Sequence, residues 1–350
     1  KQASLCYKKL NMSKKNSSAN LKNGFKHFND LSEIFLNFKN KLAKLKKGSL
    51  VVAVSGGPDS LALSALAKAY SYERKNKFYY VLIDHNIRKN SSKEADQVKS
   101  LLKKHKIKLN IIYNKHKIKN NIQGEARKIR YSLLSDFCFK KKIKTILTAH
   151  NLEDQVETFF IRLSRGSGLT GLSAMKTMSK LNKKVQIYRP LLDTKKKYLK
   201  KISKVTFGKF FKDPSNNNKK YLRTKIRSLK KPLNQSGINY DQIIKSINNL
   251  ALSRDTLNHY FSKNLKNSVK KSKNKIEVDL KQFEKFNNEL KMRIINESIK
   301  YLKKNYYNPR SKKVINLIKN LNKKNFSKAT LGGCIFIKKN DHLCLSREKI

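Results

Sequence analysis

The chain has 350 residues and carries 82 Lys and Arg against 23 Asp and Glu, a formal charge of +59. At 38% hydrophobic and 9% aromatic it can bury a core, and its length suits two domains of roughly 100–200 residues each. No apolar run approaches the roughly 18 residues of a membrane span, and Lys1–Asn11 lacks the apolar segment of a secretory signal. A soluble cytoplasmic protein is therefore expected, with no membrane partner and with Met12 as a candidate start.

A charge of this size points to a polyanion, nucleic acid above all. It is nevertheless made of 69 Lys and only 13 Arg, and it is spread evenly. Residues 1–48 carry +10, residues 49–229 carry +30 and residues 230–350 carry +19. A solvated Lys-rich surface accounts for the same figures, so charge alone names no partner. Cys6, Cys138, Cys334 and Cys344 form no C-x-x-C pair and, with seven scattered His, no zinc spacing. Reduced, buried thiols are expected.

In chain order, residues 1–48 predict a helical N-terminal extension, with Leu31, Ile34, Phe35 and Phe38 forming one stripe. From Ser49 short β-branched or aromatic runs alternate with amphipathic helices. The strands are Leu50–Val54, Phe78–Ile83, Leu109–Tyr113 and Thr145–Thr148. The helices are Ser60–Ala69, Ser92–Lys104, Gln123–Lys140 and Leu152–Arg162. This alternation predicts an α/β fold with a doubly wound parallel sheet over residues 49–232, binding its ligand at the strands' carboxyl ends.

After Phe207 come an Asp213–Asn218 turn cluster, a basic helix Tyr221–Leu229 and a linker from Pro232 to Gly237. Residues 233–350 then predict an α-rich C-terminal domain with helices Asp241–Lys263, Leu280–Lys304 and Ser311–Asn320. It ends in a small β unit, Ala329–Leu331, Cys334–Lys338 and His342–Ser346.

The first strand runs into Ser55-Gly56-Gly57-Pro58-Asp59-Ser60 and then a helix. Glycines there let the backbone approach an anion, and hydroxyls and free N–H groups at the helix start face it. No Lys follows the loop, so it is not a Walker A motif. The S-G-G-x-D-S string resembles the pyrophosphate (PP) loop of the N-type ATP pyrophosphatases, which cleave ATP to AMP and pyrophosphate. That resemblance makes Ser55 to Ser60 the ATP-binding loop, with Asp59 both catalytic and the Mg²⁺ ligand.

Later strings narrow the choice within that superfamily. They are Asp84-His85-Asn86-Ile87-Arg88, Asn121-Ile122-Gln123-Gly124-Glu125-Ala126-Arg127, and Arg130-Tyr131. Thr148-Ala149-His150-Asn151-Leu152-Glu153-Asp154-Gln155-Val156-Glu157-Thr158 follows, then a Gly-rich loop Arg165–Leu172. Arg189-Pro190-Leu191-Leu192 and Asp213-Pro214-Ser215-Asn216 with Arg223 and Arg227 complete the set. Over residues 49–230 this order closely resembles the tRNA(Ile)-lysidine synthetase family, more weakly at Leu331-Gly332-Gly333-Cys334 and Arg347-Glu348.

The resemblance implies a carbon–nitrogen ligase. Such an enzyme joins L-lysine to the wobble cytidine of a CAU-anticodon isoleucine tRNA, using ATP and Mg²⁺. It assigns catalysis to Asp59, Arg127, Asp154 and Glu157, lysine binding to Asp154, Glu157 and Arg223, and tRNA contact to Arg165 and Arg227. Asp154 and Glu157 share a helix side at i,i+3. Glu153, where the family often has Asp, receives no role, and Thr224 replaces a frequent Asn. His150 is equally a nucleotide contact or a core histidine, and the Gly-rich loop a lid, a tRNA contact or a plain connector. A homodimer is allowed. The rival readings are a tRNA 2-thiolation enzyme, disfavoured by the missing thiol pair, and an inactive RNA-binding relative, disfavoured by the intact loop.

Overall fold

Five residues, Leu50–Val54, form strand β1, and their alternation divides the first core in two. Leu50, Val52 and Val54 face one buried cluster while Val51 faces the other, as a strand covered on both sides requires. The computed structural model describes residue 25 and residues 28–348 apart from 75, 89, 117, 119–121, 212–220, 304–308 and 324. Asn121 and the turn cluster Asp213–Asn218 lie outside the described residues, as do Cys6 and Met12.

Helix α1 (Asn29–Ala43) precedes β1, and α2 (Pro58–Ser71) follows it. Then come β2 (Phe78–Asp84), α3 (Ser91–Lys104), β3 (Leu109–Tyr113), α4 (Ile122–Lys140) and β4 (Thr145–Leu147). Helix α5 (Leu152–Leu163) and the single turn α6 (Leu169–Leu172) lead to β5 (Met178–Lys180) and β6 (Gln186–Tyr188). Helices α7 (Lys196–Phe207), α8 (Leu222–Ser228), α9 (Lys230–Gln235) and α10 (Tyr240–Ser268) follow.

The sheet order is β3-β2-β1-β4-β6-β5, parallel throughout except for the antiparallel edge strand β5. Successive strands step outward from β1 in opposite directions, so the ends of β1 and β4 flank a switch point. Strands β5 and β6 are additions to the predicted elements, three residues each and too short for an alternation to register. The segment expected as a linker is helical over Lys230–Gln235, because Pro232 sits in the first turn, where a missing N–H costs nothing.

Helix α1 is part of this core rather than an appendage. Leu31, Phe35, Phe38 and Leu42 are buried beside α2 and α7, and Phe38 meets Tyr70 edge-on at 6.3 Å. Lys201 pairs with Asp30 at 2.7 Å, and the Tyr188 hydroxyl donates to the Lys41 carbonyl.

By compactness the chain divides between Ala251 and Leu252, within α10. Tyr240, Ile243 and Ile247 of that helix pack with Leu152 and Val156 of α5 in the first unit. The second unit holds strands β7 (Val269–Lys271) and β8 (Lys275–Asp279), helices α11 (Leu280–Glu284), α12 (Asn288–Lys303) and α13 (Ser311–Leu321), and strands β9 (Lys328–Leu331), β10 (Cys334–Lys339) and β11 (His342–Arg347).

Its five strands form one antiparallel sheet, β7-β8-β11-β10-β9, larger than the three-stranded unit expected. The single helix expected over Leu280–Lys304 is two. The Asn287 side chain accepts from the Leu290 N–H and starts α12 afresh. Cys138, Cys334 and Cys344 are free and buried, and burial pushes the Cys138 thiol up to about 12. Among the described residues no helix is long and apolar enough to cross a membrane.

Phe38 is 1% exposed, so Phe38→Ala should cost about 3–5 kcal/mol of unfolding free energy in urea denaturation. A loss below 1 kcal/mol would show that α1 is dispensable to the first unit.

Candidate active site

The turn after β1 is built by its own hydroxyls. The Ser60 Oγ accepts from the Ser55 N–H and from the Ser55 hydroxyl, each at 3.1 Å, and donates to the Gly57 carbonyl at 3.0 Å. Gly56 has φ +78°, and a Cβ there would lie 2.6 Å from the Val98 side chain, so only glycine fits. Gly57 caps α2, Pro58 occupies its first position and Asp59 its second. Backbone N–H groups at that helix start, with two serine hydroxyls, make an anion cradle.

Around the switch point lies a cavity of about 250 Å³. Ser55, Asp59 and Ser60 line it from the loop after β1, and Thr148, Ala149 and His150 from the end of β4. Arg127 and Arg130 enter from α4, Asp154 from α5 and Arg223 from α8. The cavity thus joins cations suited to phosphates with two carboxylates.

Asp59 carries the electrostatic tension. Burial pushes its carboxyl up to about 6 from an ordinary 3.8; Lys196 pulls it down, and Asp154 and Glu153 push it further up. Its Oδ2 lies 3.4 Å from the Lys196 ammonium. Its Oδ1 is buried without a hydrogen-bond partner. An orphaned carboxylate oxygen beside an anion cradle fits a hard cation shared with phosphates. Mg²⁺ commonly takes one or two carboxylates and completes its shell with phosphate and water. Among the described residues no three His, Cys, Asp or Glu side chains cluster into an all-protein metal site.

Asp154 and Glu157, expected to act together, have separate surroundings. Asp154 and Asn151 form a reciprocal cap of α5, at 3.0 and 3.1 Å, which fixes the Asp154 carboxylate at the cavity wall. Glu157 is 2% exposed and is clamped by Arg227, with Nε 2.6 Å from Oε1 and Nη2 3.2 Å from Oε2. Arg223 stands 3.9 Å from its Oε2. Arg223 therefore touches both places, the cavity and the buried pair.

His150 lies at the cavity rather than in the apolar core. Burial, reinforced by Arg189, Arg127, Arg223 and Arg130, lowers its pKa to about 3, so the ring is neutral. Its Nδ1 is 2.9 Å from the Thr148 hydroxyl. Arg127 stacks on Tyr131 with its guanidinium 5.0 Å from the ring centre. Arg165 is exposed beyond α5 and does not line the cavity. The Gly-rich loop is held down by Arg162, which donates to the Gly171 and Ala174 carbonyls, and by Gln155, which bonds both backbone groups of Met175.

Lys196, the cationic partner of Asp59, escaped the sequence reading. A signal for it exists, because a Lys at the first position of a helix opposes the helix dipole and marks a nearby anion. Arg130, three residues after Arg127 on α4, is a second cation of the cavity wall that the family resemblance does not assign.

The folded pKa of Asp59 lies above its unfolded value, so the ionised form costs stability. That cost is absent below about pH 4 and complete above about pH 6, where it is on the order of 2–3 kcal/mol. Asp59→Asn should accordingly raise the unfolding temperature at pH 8 and change it little at pH 4.5. Equal effects at both pH values in thermal unfolding would contradict the strained carboxylate.

The PP-loop domain family matches residues 31–233. A tRNA(Ile)-lysidine synthase of Wolbachia pipientis wMel is 34% identical over 324 residues, 91% of this chain and 75% of the relative. One from Rickettsia typhi is 30% identical over 314 residues, 89% of this chain and 72% of the relative. One from Orientia tsutsugamushi reaches 40% over 185 residues, 53% of this chain and 42% of the relative. Among solved structures, the U34-tRNA thiolase NcsA from Methanococcus maripaludis superposes with a TM-score of 0.54 at 16% identity. It covers 63% of this chain and 78% of its own, which is a likeness of fold alone. The family match spans every residue that lines the cavity, and relatives 30% or more identical cover most of the chain: the chain belongs to the tRNA(Ile)-lysidine synthase family, with a PP-loop domain at its core.

Proposed function

We propose that the protein ligates L-lysine to the wobble cytidine of a CAU-anticodon isoleucine tRNA at the expense of ATP. Lysidine, AMP and pyrophosphate are the products, and decoding shifts from AUG to AUA. The observation that carries this reading is the single cavity joining the Ser55–Ser60 cradle to Asp154 and Arg223. It offers an anion site and an amino-acid site within reach of one reacting centre. Family membership over most of the chain supports the same reaction.

In this scheme the cradle and Arg127 hold the ATP phosphates, and Asp59 holds Mg²⁺, which when bound offsets charge on the transferring phosphoryl group. The cytidine O2 attacks the α-phosphorus, and the bond to pyrophosphate breaks. The lysine ε-ammonium first gives up a proton to water, the free amine attacks C2, the C2–O bond breaks and AMP departs with the oxygen. Asp154 at the cavity wall receives a lysine ammonium, and Arg223 receives the carboxylate. Glu157, locked to Arg227, braces Arg223 from behind. His150 contributes as a neutral hydrogen-bonding group. The nucleic-acid grip of Arg165 and the second unit is salt-sensitive and largely sequence-independent, whereas Arg227, expected as a tRNA contact, is taken up by Glu157. The chain acts in the cytoplasm, and a homodimer has no role in this scheme.

Incubation with ATP, Mg²⁺, labelled lysine and unmodified CAU-anticodon isoleucine tRNA should place label in that tRNA and release AMP. Label in methionine tRNA as well, or none in either, would refute the assignment. Asp59→Asn should reduce AMP formation at least about 100-fold, as loss of a preorganised charge at the phosphates requires. Asp154→Asn should instead raise the KM for lysine about tenfold or more while ATP binding is retained, because it removes one charge-assisted contact. An unchanged lysine KM would displace Asp154 from that role.

A further inference from the structure

Glu153 has no place in the scheme above, yet its carboxylate makes a bond between two elements that bring side chains to the site. It sits in the first turn of α5, beside Asp154. Its Oε2 accepts at 2.8 Å from the backbone N–H of Lys196, the first residue of α7. Forty-three positions separate the two in sequence. A second bond runs parallel to it, from the Leu152 N–H to the Thr194 carbonyl at 3.1 Å. The start of α5 and the start of α7 are therefore stitched together, by the consecutive Leu152 and Glu153 on one side and by Thr194 and Lys196 on the other.

Lys196 then reaches from that stitched turn to Asp59, 3.4 Å away. About two turns further along α7, the Ser203 hydroxyl donates to the Pro58 carbonyl, next to Asp59. Helix α7 is thus fixed against the cradle at Ser203 and against α5 at Lys196. Of the two, the Glu153 bond is the one made at the residue whose ammonium meets Asp59. Glu153 also repels Asp59 by its own charge, so a carboxylate here is electrostatically unfavourable unless its bond offsets the repulsion. The Lys196 N–H is one of the orphan donors at a helix start, and a charged acceptor makes the stronger bond to it.

Resting on the ligase reading, we propose that Glu153 is a positioning residue: by accepting the Lys196 N–H it holds the start of α7 so that the Lys196 ammonium faces Asp59. Glu153 acts through Lys196 and touches no substrate. Its replacement lets the first turn of α7 fray, and Lys196 drifts from the carboxylate it balances.

A double-mutant cycle on the full chain, read as AMP formed with cognate tRNA and lysine, tests this. Glu153→Ala should lower kcat about tenfold with the lysine KM unchanged, a size expected for a small misplacement of a site charge. Glu153→Gln, whose carboxamide oxygen accepts the same bond, should keep activity within about twofold. In a Lys196→Met background Glu153→Ala should cost nothing further, since both changes break one linkage. An additional tenfold loss there, or Glu153→Gln as impaired as Glu153→Ala, would overturn the proposal.

A readout without turnover separates this from the parent reading. Acylation of Lys196, followed by peptide mass spectrometry, should rise severalfold in Glu153→Ala and not in Glu153→Gln, while other lysines label as before. If the native protein forms no AMP, the ligase reading fails; if it does and Lys196 labelling is indifferent to Glu153, this inference alone fails.

Discussion

An ionised carboxylate held at the edge of a packed core is the constraint around which the first unit is organised. Asp59 has to sit at the second position of α2, because only there does it share an anion cradle with Ser55 and Ser60. That position is mostly buried, and burial opposes its charge. The helix start provides one compensation, since free N–H groups favour an anion. Lys196 provides the other, from an element that joins the site only through tertiary packing. The path of the chain from β6 to α7 is thus as necessary to the cradle as the loop that resembles a nucleotide-binding motif. A loop lifted out of this fold would keep its glycines and serines but lose the counter-charge.

The arrangement also gives meaning to the overall charge. In a chain with 23 acidic residues, four of them, Asp59, Glu153, Asp154 and Glu157, stand at one switch point. Three belong to the first two turns of a single helix. Arg127, Arg130 and Arg223 line the cavity with two of them, Asp59 and Asp154, while Glu153 and Glu157 hold neighbouring elements in place. The local site is therefore a balanced mixture of charges inside a strongly basic surface. Long-range attraction of a polyanion and short-range handling of an ammonium are physically separable tasks, and the acids are placed where the second is performed. The spread of Lys over every segment supplies attraction without direction.

Much of the fold was legible because it rests on local patterns. Strands β1 and β3 fall at the predicted residues, and α2, α3, α4 and α5 shift by a residue or two at their ends. Continuous apolar runs between amphipathic helices have few other solutions. The failures share a cause in weak local signal. Strands β5 and β6 have three residues each, and β7 carries two lysines. Lys275–Asp279 does alternate, with Ile276 and Val278 fully buried, but it lies among lysines that mask the period. The break before α12 turns on one side-chain cap at Asn287. At the site, motif residues Ser55 to Ser60, Arg127, Asp154 and Arg223 were legible since they form contiguous strings. Lys196 was not, because its significance is a contact across 137 positions, and no one-dimensional pattern encodes it.

The pair Asp154 and Glu157 shows how a correct local statement stops short of a role. Residues three apart on a helix project about 60° from each other, near enough to share a face and far enough to meet different neighbours. Here the first turn of α5 meets the open cavity while the second lies under α8. Asp154 is drawn into the reciprocal cap with Asn151, which holds it at the N-terminal rim. Glu157 is one turn deeper, where an ionised carboxylate survives only if paired, and Arg227 supplies a two-pronged partner. Arg223, one turn before Arg227 on α8, is left between them, 3.9 Å from Glu157 and lining the cavity. The buried acid therefore fixes α8, and α8 delivers Arg223 to the wall that Asp154 already occupies. Two like residues on one helix face become a contact and its support, and the depth of each turn decides which is which.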